Sequence, residues 1–345
     1  MRQNRKLADS SAALHRRTGP PITHVDRAHR ENPFDAADRP RYIRRMSRPI
    51  AVLLLLTATA IWGFAFVAQK SAMDHMGPLT FSGTRFLLGG IALLPFAIME
   101  LRRKAVTRAD FTPRLWLQIA VLCAAFFAGS ILQQYGLAHT SVTNSGFLTA
   151  LYVLFVPLIA FIAIRARPHP IIYVGVPLAL IGMFYLNGGR LEAFNVGDLL
   201  MVTSAVFWGG HVFMLGLLSR QTGLPVVLSA MTFLSVGVVC LALAFSLEAP
   251  DLSGIAAGWM ELLYVGLLST GLAFTLQAIG QQHVPAANAA IVLSAESLFA
   301  ALGGALLLGE RLPAIGYAGA ALIFFAIILV EAIPALRQRR QLRAA

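Results

Sequence analysis

From residue 49 onward, apolar residues come in long unbroken runs instead of alternating with polar ones. The runs cover residues 49–68, 78–99, 115–137, 145–164 and 170–187, then 196–218, 225–247, 258–280, 286–308 and 314–332. Some 20 apolar residues rising ~1.5 Å each match the ~30 Å hydrocarbon core of a bilayer. The pattern therefore predicts an all-α membrane protein of ten transmembrane helices. The gaps are short and rich in Gly, Pro, Asn and charge, as in Asp74 to Pro78 and Asn187 to Arg190.

The ninth run carries one residue foreign to a hydrocarbon interior, Glu296, ten positions after Ala286. This run echoes the fourth when Asn288 is set on Asn144. The same shift pairs Trp62-Gly63 with Trp208-Gly209, Pro78 with Pro225, Gln133 with Gln277, Gly136 with Gly280 and Gly175 with Gly319. The offset stays within 144–147 residues across five runs. Two homologous halves with an odd number of spans each must enter the membrane from opposite sides. Inverted repeats of this kind place a substrate site between the halves near mid-membrane. The halves are read as residues 49–188 and 196–333, and transport is the leading function.

Composition agrees with a membrane protein: 57% of the 345 residues are hydrophobic and 13% charged, against about 25% charged in soluble domains. A net charge of +12 raises the question of nucleic acid, but its distribution answers it. Twelve of the 28 Lys and Arg precede residue 49, and most others fall in short gaps between runs. With both ends cytoplasmic, 24 lie on that side against three (Lys70, Arg190, Arg311) on the other, as the positive-inside rule requires. An integral, multi-pass position in the plasma (inner) membrane follows. Residues 1–45 are Arg- and His-rich with four prolines and no apolar periodicity, which predicts a disordered basic tail over 1–48. Arg44-Arg45 ahead of the first run reads as a cytoplasmic flank rather than an export signal, and the change of composition makes Met46 a candidate start. Residues 334–345 read as a second basic tail. Cys123 and Cys240 lie in separate apolar runs, so no disulfide framework or metal site is indicated, and no heme, zinc or phosphate-loop spacing implies a cofactor.

These features together resemble the drug/metabolite transporter superfamily, specifically its EamA-type members. Ala60-Ile61-Trp62-Gly63, Pro78 with Arg85-Phe86, Asn144 with Pro157, Ala295-Glu296-Ser297 and Leu308-Gly309-Glu310-Arg311 carry the resemblance, which spans about residues 50–332. It implies secondary transport of small metabolites, often as efflux, with the fifth and tenth helices peripheral. Two departures stand out. The fourth helix ends in Ile164-Arg165-Ala166-Arg167 where a Leu-Gly-Glu-Arg-like ending is usual. Glu296 is followed by Ser297 instead of the usual Pro, which removes a source of kinking.

The candidate site residues each have a plainer alternative. Glu296 is the foremost substrate or proton-coupling group, since intramembrane ionisable residues usually face a partner or a wet cavity; its repeat partner is Tyr152. Arg85, about 10 Å into the second helix, is either a fixed charge for an anionic or zwitterionic solute, a partner for Glu296, or a side chain snorkelling to the headgroups. His211 either titrates or donates a hydrogen bond. Trp62 and Trp208 are an aromatic wall or ordinary packing. Gln133, Gln134 and Gln277 contact ligand or join helices. Asn144 and Asn288 read as helix N-caps, and Asp198, Glu248, Asp251 and Glu331 as solvated boundaries. Glu310 and Arg311 are gate candidates or an exposed pair. Gly303, Gly304 and Ala300 form a small-residue packing face.

An intramembrane enzyme would need a convergent nucleophile and base or a ligand set, and the eight His are scattered. A lipid flippase on the same fold is the closer rival, and a lateral polar groove would mark it. Phosphate-ester exchange would call for several buried cations, and only Arg85 qualifies. Zwitterionic or weakly charged metabolites such as amino acids fit better, with protons as a candidate partner.

Overall fold

The computed structural model describes residues 46–186, 188–189, 195–311 and 314–344, with side chains up to residue 333. The readings made on residues 1–45, on Arg190 and on the side chains of the last residues lie outside that range.

Every long element among the described residues is helical. The first set comprises α1 (Arg48–Ala72), α2 (Pro78–Arg103), α3 (Pro113–Leu137), α4 (Val142–Ala150), α5 (Tyr152–Ile164) and α6 (Ile172–Leu186). After α7 (Val196–Thr222) and α8 (Pro225–Leu247) come α9 (Leu252–Ala257), α10 (Trp259–Leu263), a π-helical segment (Tyr264–Ala273) and α11 (Phe274–Gln281). The chain closes with α12 (Ala286–Leu293), α13 (Glu296–Leu307) and α14 (Ala314–Ala344). Among the described residues, nine helical stretches are long and apolar enough to cross a membrane, and the run near 170–187 forms the shorter α6. The last helix continues through residues 334–344, where the sequence suggested a tail.

Two spans are interrupted at equivalent places. A single turn at Leu151 separates α4 from α5, and Ser294-Ala295 separate α12 from α13. Both steps tighten the chain through i→i−3 bonds, Leu151 N to Leu148 O (3.3 Å) and Ala295 N to Val292 O (3.2 Å). In the second break, Ser294 and Ser297 hydroxyls also bond back to the carbonyls of Ile291 and Ser294, a habit that bends helices. The span is thus interrupted beside Glu296 even with serine in place of the usual proline. The π-helical turns interrupt a third span without breaking it, and such turns are rare in ordinary helices.

Lipid tails are as apolar as leucine, so helices in a bilayer associate through close packing and polar bonds rather than hydrophobic burial. Both devices join α2 to α8. Their contact is lined by Gly83, Gly90 and Gly237, where any side chain would strike Leu241, Leu234 or Leu87 of the opposite helix. Glu248, just beyond α8, accepts the backbone N–H groups of Leu79 and Thr80 at the start of α2 (2.8 Å each). Glu100, near the end of α2, accepts those of Val226 and Val227 at the start of α8 (3.0 Å each). Each carboxylate satisfies orphan donors at the positive end of the other helix.

Several boundary residues thus do structural work instead of lying in solvent. Glu248 also accepts from the Thr80 and Tyr135 hydroxyls. Asp198 is buried, accepts from Thr140 and Asn144 and closes a capping box with Asn195. Glu331 pairs with Arg48 at 2.7 Å. Only Asp251, capping Ser253, stays exposed, its carboxyl held below the ordinary range by those Ser253 bonds. The N-cap expectation for the two asparagines also fails. Ser141 caps α4, while Asn144 reaches Thr140 and Asp198. Asn288 lies inside α12 and donates to Val330 O and Glu331.

Candidate functional site

Seven spans (α1, α2, α3, α4–α5, α7, the π-helical segment with α11, and α12–α13) converge on one buried cavity, lined by Trp62, Gln69, Arg85, Gln133, Tyr152, Trp208, His211, Gln277 and Glu296 among others. None of α6, α8 and α14 contributes a lining residue. All eight of the substrate or coupling candidates are among the lining residues, while Gln134 is not.

Helical periodicity sets the walls. Trp62, Phe66 and Gln69 share one face of α1 at steps of four and three. Phe274 and Gln277 do the same on α11. Tyr152 and Glu296, repeat partners, each occupy the first position after the two helix breaks, and both line the cavity. Glu296 is 4% exposed and Tyr152 3%.

Arg85 is also 4% exposed, so it does not snorkel to the headgroups. Its Nη1 donates to Gln69 Oε1 at 2.9 Å, and the guanidinium lies against the rings of Phe81 and Phe86 (5.2 and 4.5 Å to the centroids). It does not pair with Glu296: the ion pairs among the described residues are Arg48–Glu331 and Lys104–Glu100. A cation and a carboxyl group thus occupy one cavity without neutralising each other by contact.

Aromatic rings make up much of the remaining surface. Trp62 donates its Nε1 proton to Ser269 O of the π-helical segment at 3.1 Å, and its ring lies 4.5 Å from Phe274. Trp208 stacks on Phe274 with centroids 5.8 Å apart, and His211 touches the edges of Trp208, Phe274 and Phe126. The glycines after both tryptophans permit the expected close contacts: a Cβ on Gly63 would fall 2.2 Å from Phe299 Cβ, and one on Gly209 2.8 Å from Phe155 Cβ.

Several polar atoms facing this cavity have no hydrogen-bond partner among the described residues: Arg85 Nε, Trp208 Nε1, both ring nitrogens of His211 and Gln277 Oε1. Each such group costs about 1–3 kcal/mol when left unpaired, so their convergence in one cavity calls for an explanation beyond packing. Gln133, by contrast, donates to Thr149 (3.2 Å), and Gln134 donates to Gln69 O (3.2 Å), joining helices. The cavity volume is about 40 Å³, room for a few waters at about 10–15 Å³ each.

The sequence reading missed Gln69, Thr149, Ser269 and Phe274. Gln69 was legible as the residue seven past Trp62 on the same face, whereas Ser269 enters through its backbone carbonyl. The gate candidates separate. Glu310 accepts from Val142 N and Thr143 N (3.2 Å each) and from the Thr143 hydroxyl, while Arg311 is exposed and takes no part in an ion pair among the described residues.

A bundle of membrane-length helices around a buried, partly unsatisfied polar cavity defines a polytopic membrane protein with an internal polar cavity. The chain belongs to the EamA-like transporter family, whose model matches it twice, over residues 49–188 and 195–332. It is 30% identical over 287 residues to an uncharacterized transporter of Archaeoglobus fulgidus, covering 83% of this chain and 87% of that protein. It is 27% identical to the uncharacterized transporter YwfM of Bacillus subtilis, covering 84% and 96% of the two chains. The uncharacterized inner membrane transporter YedA of Escherichia coli K12 is 28% identical over 78% of this chain and 87% of its own length. A solved crystal structure shares the fold with a TM-score of 0.68 at 18% identity, over 83% of this chain and 98% of that one. The family and these relatives are transporters, not enzymes.

Proposed function

We propose that the protein is a secondary active exporter of small polar or zwitterionic metabolites, such as amino acids, working by alternating access between two inverted five-helix halves. Residues 49–188 and 196–333 form the halves, with both termini in the cytoplasm and the chain in the plasma (inner) membrane. The observation that carries this reading is the convergence of uncompensated polar atoms, one cation and one carboxyl group on a single cavity walled by seven spans.

Arg85 attracts the carboxylate of the solute, Glu296 and Tyr152 meet its amino group or carry a proton in exchange, and Trp62, Trp208 and Phe274 enclose its body. His211, Gln133 and Gln277 supply further hydrogen bonds. With about 40 Å³ of free space, an amino-acid-sized solute enters only if the helices around it move. The helix breaks beside Tyr152 and Glu296, the double match of the family model and the reciprocal caps of α2 and α8 all support two inverted halves. A central cavity suits a dissolved solute better than a lipid, which a flippase would admit through a lateral polar groove.

An untargeted comparison of medium metabolites from cells with and without the protein tests the proposal. At least one small polar solute should accumulate outside only when the protein is present. Identical media at verified membrane abundance would overturn it.

A further inference from the structure

The two halves differ at one pair of turns. In the second half, α13 ends through Gly309 in the left-handed region (φ +70°), and Glu310 follows. At the matching offset of 144, α5 ends through Arg165, also left-handed (φ 52°), and the next residue is Ala166. Both ends turn through a left-handed residue at matching positions, and only one of them is followed by an acid.

That acid crosses between the halves. Glu310 accepts from the first two N–H groups of α4, Val142 and Thr143, and from the Thr143 hydroxyl. Small residues clear its path: a Cβ on Gly304 would sit 2.5 Å from Glu310 Oε2, and one on Gly146 would sit 2.5 Å from Ala300 Cβ. At the repeat-related end, α12 begins at Pro285 with no side-chain cap. Its Asn288 turns to α14 instead of α5. Cross-half ties do exist at that end, Arg48–Glu331 and Glu100 to α8, but they join other helices.

We infer that Glu310 is a one-sided latch. It fastens the outer ends of the two broken spans, α4–α5 and α12–α13, and among the described residues no side-chain cap joins their inner ends in the same way. The cavity therefore exchanges with the cytoplasm more readily than with the outside. This inference rests on the alternating-access reading and on the orientation proposed with it.

The test is thiol accessibility. With Cys123 and Cys240 replaced by alanine, Thr149→Cys places one thiol in the cavity wall. A membrane-impermeant methanethiosulfonate is applied to right-side-out and inside-out vesicles. Labelling from the cytoplasmic side should be about 10-fold faster or more, as for an outward-open state populated at 10% or less. Glu310→Ala should raise the outer rate several-fold, and Ala166→Glu should lower the inner rate. Equal rates from both sides in the otherwise unaltered protein would overturn the latch, as would an outer rate indifferent to Glu310→Ala. Should Glu310→Ala fail to fold, an inner rate unmoved by Ala166→Glu decides against it. A thiol silent from both sides in every variant would instead remove the alternating-access reading, and the latch with it. Transport with an unbiased ratio would remove the latch alone.

Discussion

Arg85 and Glu296 share one cavity without an ion pair between them, and in the proposed mechanism this separation leaves each open to a guest. A paired cation would have to be freed before binding, whereas among the described residues Arg85 is held by one bond to Gln69 and by two aromatic rings. Replacing it with glutamine removes a charge-assisted bond worth about 1.5–3 kcal/mol, so the half-saturating concentration of a carboxylate-bearing solute should rise about 10- to 150-fold. Flux measured against solute concentration checks this, and an unchanged value would place the carboxylate elsewhere. The roles of Arg85 and Glu296 were suggested by their charge alone, because an ionisable residue inside an apolar run is conspicuous in any sequence. Ser269 was not, since its contribution to the Trp62 bond is a backbone carbonyl in a π-helical turn, a geometry that hydropathy does not encode.

At the level of elements, positions of helices were readable while their interruptions were not. Runs of apolar residues report the length of a span, but α4–α5 and α12–α13 read as continuous because a single turn leaves hydropathy unchanged. Boundary acids were misread for a related reason: a glutamate at a helix end looks the same in sequence whether it faces water or caps another helix. Glu100 and Glu248 provide a direct test. Each cap should be worth about 0.5–2 kcal/mol, and because the two caps sit at opposite ends of the α2–α8 pair, Glu100→Gln and Glu248→Gln should add. Thermal unfolding in detergent measures both and their combination; a double variant no less stable than one single would show that the ends are not independent. Close packing gives a second test. Gly63→Ala should destabilise by about 1–3 kcal/mol through overpacking, since the added methyl meets the α13 backbone 2.6 Å away. Gly210→Ala, whose methyl would find only Ala125 Cβ at 3.8 Å, should be close to neutral.

For the whole molecule, the repeat was read from residue types that recur at a nearly constant spacing, and the family model matches the chain twice, over residues 49–188 and 195–332. Function is assigned by the site and not by the fold, so the solute is to be found by experiment. The proposed topology expects both termini to be cytoplasmic; protease digestion of tags at each end in oriented vesicles should cut both from the same side, and cleavage from opposite sides would contradict an even number of spans. The central claim is that solute crosses through the cavity containing Glu296. Flux of the exported solute in proteoliposomes, for the wild type and Glu296→Gln at equal incorporation and across pH, tests it most directly. The account expects saturable, pH-dependent flux for the wild type and either no flux or flux without pH dependence for the variant. Wild-type flux with an unaltered pH profile in Glu296→Gln would contradict it.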